Sequence, residues 1–90
     1  MLQHPKDEIR LIVVTTAGDI DDEFKLDRPL EHVFDKALRE VGGEGDRDQF
    51  ALEYHDAVLS NLSRTIGHFV KELDWTDGTQ LEFVPKPVVV

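Results

Sequence analysis

Apolar positions in this chain fall into short blocks with distinct spacing. Ile9-Arg-Leu-Ile-Val-Val-Thr-Thr16 is dense in β-branched residues and ends at the turn cluster Ala17-Gly18-Asp19, which predicts a strand with a largely apolar centre. Asp22–Asp27 then alternates, with Phe24 and Leu26 on one face, as in a strand paired back as a hairpin and wet on its other side. From Asp27 to Gly43 the spacing changes to three and four. Leu30, Val33, Phe34, Ala37, Leu38 and Val41 share a face, while Glu31, Asp35, Lys36, Arg39 and Glu40 lie opposite. Asp27 is placed to cap this helix, Pro29 fits its first turn and Gly42 follows its last apolar position.

The glycine-rich, charged stretch 42–48 reads as a loop, and Phe50–Tyr54 alternates again with Phe50, Leu52 and Tyr54 on one side, a short strand at or near an edge. His55-Asp56 is a turn and Val58-Leu59 a brief strand. Asn61 or Ser63 is positioned to cap a helical segment over 64–73, whose face is Ile66, Phe69, Val70 and Leu73 and which Gly67 weakens. After the turn Asp77-Gly78, Thr79–Val84 is the last strand, stopped by Pro85 and Pro87. This order gives one main helix packed on a mixed sheet of four to five strands, an α+β domain, with the first and last strands adjacent and parallel in the middle. Its boundaries are a flexible N-terminus at 1–8, the domain at 9–84 and an extended tail at 85–90.

Ninety residues suffice for one domain with a modest core. The formal charge of -9, from 19 acids against 10 Lys and Arg, opposes binding to nucleic acid or an anionic membrane and favours basic or neutral protein partners. With no cysteine, disulfides, thiol nucleophiles and thiolate metal sites are excluded. No apolar run reaches the ~18 residues of a membrane span and the N-terminus lacks a signal-peptide core, so a cytoplasmic location is expected. The sequon Asn61-Leu62-Ser63 is then a coincidence.

Candidate chemistry is sparse. Asp19-Ile-Asp21-Asp22-Glu23 suggests a calcium loop, but Phe24 and Leu30 stand where an EF-hand needs glycine and glutamate. Gly42-Gly-Glu-Gly-Asp lacks the lysine and hydroxyl of a phosphate loop. His4, His32, His55 and His68 are scattered, with only His55 among acids, and Ser60 and Ser63 have no nucleophile-elbow context. Trp75 is expected to cover the rim of the core, with partner anchoring as the alternative. No catalytic residue, cofactor or metal site is expected, and the chain reads as a non-enzyme.

The order of elements, with Leu52-Glu-Tyr-His-Asp-Ala-Val-Leu59, Ser63-Arg-Thr-Ile66 and Asp77-Gly-Thr-Gln-Leu-Glu-Phe-Val-Pro85, resembles the ubiquitin-like β-grasp family over residues 9–86, with small prokaryotic ubiquitin-like proteins as the closest relatives. The resemblance implies a bacterial modifier-type protein acting through protein contacts, its C-terminal tail gripped by a processing or conjugation enzyme. The alternative is a non-conjugated adaptor or interaction subunit, for example of a secretion complex; a small-molecule-binding or sulfur-carrier β-grasp protein is a third. Val89 and Val90 stand where such modifiers carry two glycines, and Glu53 stands where the family's recognition patch is apolar, whereas Val84 matches that patch. The partner-binding residues expected on this basis are Val84, Lys86, Val88, Val89, Val90 and Glu53. Two prolines and three valines suit the tail to strand addition or to an enzyme groove.

Overall fold

The computed structural model describes residues 7–86; the expected tail contacts at Val88, Val89 and Val90 therefore lie outside the described residues. Its elements are β1 (Glu8–Thr15), β2 (Gly18–Lys25), α1 (Glu31–Glu40), a 3-10 turn (Arg47–Gln49), β3 (Phe50–Tyr54), β4 (Ala57–Val58), α2 (Ile66–Leu73) and β5 (Thr79–Pro85). The five strands form one sheet in the order β2-β1-β5-β3-β4. β1 and β5 run parallel with Val13 beside Leu81, and the other pairings are antiparallel. This is the β-grasp arrangement expected from the sequence, with α1 laid across one face.

Alternation along the strands sends Ile9, Leu11, Val13, Ile20, Phe24, Leu52, Leu81 and Phe83 to the helix side, where they are buried. α1 meets them with Val33, Phe34, Ala37 and Leu38, and α2 closes one end with Ile66 and Phe69. Phe83 lies at the centre. It packs edge-on to Phe34, with centroids 5.0 Å apart, and is stacked on Phe50 at 5.1 Å.

Three locally expected features differ in the structure, the first because of a tertiary contact and the other two because a neighbouring residue makes the local bond. Asp27 does not cap α1; Leu30 occupies the N-cap without a side-chain bond. Carbonyls of the 62–64 loop accept instead, Arg64 from the Leu30 N–H at 2.8 Å and Leu62 from the Glu31 N–H at 2.9 Å. α2 is capped by Thr65, whose hydroxyl accepts from the His68 N–H, rather than by Asn61 or Ser63. β2 begins four residues earlier than its alternation suggested. The hairpin turns on Thr16-Ala17, held by the buried Thr15 hydroxyl, which donates to the Gly18 carbonyl and accepts from the Ala17 N–H. Leu26 consequently lies beyond β2 and is half-buried.

On the helix side of β2, Asp22 accepts from the Lys36 ammonium and from the Glu23 N–H. The Lys36 bond, then the backbone bond, hold the Asp22 carboxyl below its ordinary value of 3.8. A carboxyl depressed in the folded state contributes stability that is present above its unfolded pKa and is lost as pH falls through the folded value. Stability is therefore expected to fall in acid below about pH 4, and Asp22→Asn to lose less than the parent between about pH 7 and pH 3. The difference should stay below about 1 kcal/mol because the pair is largely solvated. Urea midpoints at the two pH values provide the check; parallel losses in parent and variant would contradict it.

Candidate interaction face

Among the described residues, the sheet's second face carries no helix. The strand registers assign its side chains: Glu8, Arg10, Ile12 and Val14 on β1, Asp19, Asp21, Glu23 and Lys25 on β2, Gln80, Glu82 and Val84 on β5, Ala51 and Glu53 on β3, and Val58 on β4. Ile12, Val14 and Val84 are half-buried, and Val58 is 57% exposed. Alternation created this face: each residue is one position out of phase with a core residue.

One row of neighbours crosses the sheet as Val14, Glu82, Glu53 and Val58. Glu82 and Glu53 are thus directly opposed, and the turn residue Asp56 brings a carboxylate oxygen to the same place, all three within 4.8 Å of one another. Asp56 arrives because β3 and β4 are joined by a two-residue turn in which His55 and Asp56 both take positive φ, 51° and 66°. Like charges opposed across antiparallel strands oppose pairing. Replacing Glu82 with Gln is accordingly expected to stabilise the domain by about 0.2–1 kcal/mol. A thermal scan tests this, and a fall in Tm would show that Glu82 makes a favourable contact.

Two depressions meet at Glu82. One, about 490 Å³, is lined by Tyr54, His55, Asp56, Thr79, Gln80 and Glu82. The other, about 240 Å³, is lined by Val14, Thr15, Thr16, Glu82, Phe83 and Val84. At the β2 side, Arg10 donates two bonds to Asp21, each 2.8 Å, and its backbone N–H donates to Asp77. The paired hydrogen bonds raise the Arg10 pKa and lower that of Asp21, so this cation is already committed.

Of the residues expected to bind partners, Val84 and Glu53 lie on this face, on adjacent strands but two residues apart in register. Lys86 follows the end of β5, and its N–H donates to the Gln49 carbonyl at 2.7 Å. Sequence reasoning missed Val14, Glu82 and Asp56. Their only signal was alternation, which marks them as outward without saying which strands bring them together. Trp75 is 3% exposed, stacked on Phe69 and edge-on to Tyr54, so it is a core residue and not an accessible anchor. His55 stacks on Tyr54 at a centroid distance of 4.0 Å instead of joining the carboxylates. Glu53, Asp56 and Glu82 offer oxygen atoms of the kind hard cations take, but exposed acids commonly group without an ion, and among the described residues no further His, Cys, Asp or Glu joins the group. No helix among the described residues is long and apolar enough to cross a membrane.

No protein-family model and no curated protein matches the sequence. Solved structures do match. A de novo design based on ubiquitin superposes with TM-score 0.68 at 21% identity, covering 94% of this chain and 96% of the design. The ubiquitin-like domain of an Arabidopsis thaliana protein matches in two determinations, with TM-scores of 0.64 and 0.65 at 14% identity. Each covers 96% of this chain, and 85% and 95% of that domain. The chain thus has a ubiquitin-like fold. A design and a plant domain among these neighbours support that fold at large and single out no prokaryotic subgroup.

Proposed function

We propose that this chain is a ubiquitin-like protein of modifier type that acts in the bacterial cytoplasm through protein contacts and performs no catalysis itself. Its dedicated processing or conjugation enzyme reads Val84 and Lys86 together with the segment beyond them. The observation that carries this reading is the course of β5. The strand presents Val84 on the helix-free face and continues through Pro85, paired with Phe50, to Lys86, bonded to Gln49. A partner seated on the face is therefore beside the start of the C-terminal segment. An exposed strand end that leads on into the C-terminal segment is a surface that partners bind by strand addition or in a groove.

A second reading, a non-conjugated adaptor or interaction subunit, is favoured by the opposed Glu53 and Glu82 in the middle of the face, away from the chain end. Removing residues 87–90 separates the two while leaving every described strand pairing in place. The tagged protein, with its own C-terminus free, is captured from its native cells and adducts are weighed under denaturing conditions. Adducts joined through the C-terminal carboxylate and lost on truncation support the modifier. A partner that washes off in denaturant, and is retained by the truncated chain, overturns it in favour of the adaptor.

A further inference from the structure

The helix-free face combines three features. Its apolar depression at Val14 and Val84 is large enough for one aliphatic side chain, about 240 Å³. Glu82 borders both this depression and the larger one beside it, so an apolar seat and an acidic seat are adjacent. Around them the charge has one dominant sign: Glu53, Glu82 and Asp56 at one side and Asp19 at the other, the charge of Asp21 being offset by Arg10. Arg10 is bonded to Asp21, while Lys25 and Lys86 lie at strand ends.

We infer that this face docks a cationic polypeptide segment anchored by an aliphatic side chain. The aliphatic group enters the depression between Val14 and Val84, and a neighbouring Lys or Arg is received by Glu53, Glu82 and Asp56. This rests on reading the chain as a protein-interaction domain and adds the chemistry of its partner. Charge complementarity selects the occupant. An acidic segment, a nucleic acid or an anionic lipid surface would meet the same carboxylates with repulsion. A cation placed among Glu53, Glu82 and Asp56 relieves the repulsion that their opposition creates. The apolar seat adds a contact that charge alone does not supply, as in interfaces where a buried anchor is ringed by polar groups.

The probes are two short fluorescein-labelled peptides with identical leucine spacing, one with lysine and one with glutamate at the intervening positions. Fluorescence anisotropy should show saturable binding of the lysine peptide alone. The double variant Glu53→Lys with Glu82→Lys should weaken it by about tenfold or more, whereas Glu40→Lys with Glu44→Lys should weaken it less than about threefold. Glu40 ends α1 on the opposite side of the sheet and Glu44 is in the following loop, so this control makes the same change in net charge elsewhere. Val84→Asp adds a negative charge to the face. It should nevertheless weaken the lysine peptide by about tenfold because the apolar seat is lost. Trp75 fluorescence verifies folding of each variant, Trp75 being the single tryptophan.

Absence of lysine-peptide binding, equal losses in the two double variants, or tighter binding by Val84→Asp would each overturn the proposal. Capture of the native partner by the same variants separates the two levels. Capture lost by the face variants without lysine-peptide binding refutes only the partner chemistry; capture unaffected by them refutes the use of this face altogether.

Discussion

Phe83→Ala is expected to remove about 3–5 kcal/mol of stability, the usual loss when a buried phenylalanine is truncated. Phe83 is 1% exposed on β5, the strand that joins β1 to β3, and its ring meets Phe34 on α1 and Phe50 on β3. Both neighbours are tied to further groups. Phe34 lies under the Arg47 guanidinium, 4.8 Å from ring centroid to Cζ, and Arg47 is itself paired with Glu31 and Asp35. Collapse into the vacated space would have to disturb these contacts, which places the expected cost toward the upper end. Native domains hold only about 5–15 kcal/mol in total, so much of the variant should be unfolded under mild conditions. Urea unfolding followed by Trp75 fluorescence gives the value, with Val84→Ala on the opposite face as a control expected to lose less than about 1.5 kcal/mol. A loss below about 1 kcal/mol for Phe83→Ala would show that the aromatic cluster repacks freely.

Gly43→Ala should be the next most damaging small substitution, at about 1–3 kcal/mol. Gly43 is buried, and a Cβ built there stands 2.8 Å from Phe50 Cε2 and 3.2 Å from Leu38 Cδ1. The Phe50 ring cannot retreat without breaking its near-parallel stack, 10° between planes, on Phe83. Gly42 beside it is constrained differently. It has φ of 69° and open space around it, the left-handed residue that ends α1 as its N–H bonds the Arg39 carbonyl and the Gly43 N–H bonds that of Leu38. Gly42→Ala should therefore cost only the backbone term, about 1 kcal/mol. Gly42→Asn should recover part of it because asparagine tolerates this conformation, while Gly43→Asn should not. Equal recovery at both positions would contradict the steric account of Gly43.

The core and the helix-free face place opposite demands on β5. Leu81 and Phe83 point into the core and help to hold the sheet together, while Glu82, between them, faces Glu53 across the strand pair and opposes that association. A sheet selected for stability alone would carry a threonine or an opposite charge at one of these positions. Such local conflict is characteristic of surfaces kept for binding, which is why the expected stabilisation by Glu82→Gln and the expected loss of cationic-peptide binding concern the same residue.

The sequence by itself determined which elements form and which face of each is buried. Period-two alternation at Thr79–Val84 and the three-and-four spacing from Leu30 to Val41 are local signals that survive folding because burial follows them; at Phe50–Tyr54 the alternation holds for which face each residue takes but not for burial, since Ala51 is buried on the helix-free face while Phe50 and Tyr54 are half-buried. Even the parallel pairing of the first and last strands followed from their apolar character. What only the tertiary structure decided were the features whose partners are distant in sequence. The start of α1 depended on carbonyls from residues 62 and 64, so a local rule applied to Asp27 selected the wrong cap. The meeting of Val14 with Glu82, of Glu82 with Glu53, and of Asp56 with both depended on strand order and register, which a pattern of outward residues does not encode. Alternation marks a residue as facing outward, but its neighbours on that face come from strands up to 68 positions away, and only closure of the sheet brings them together.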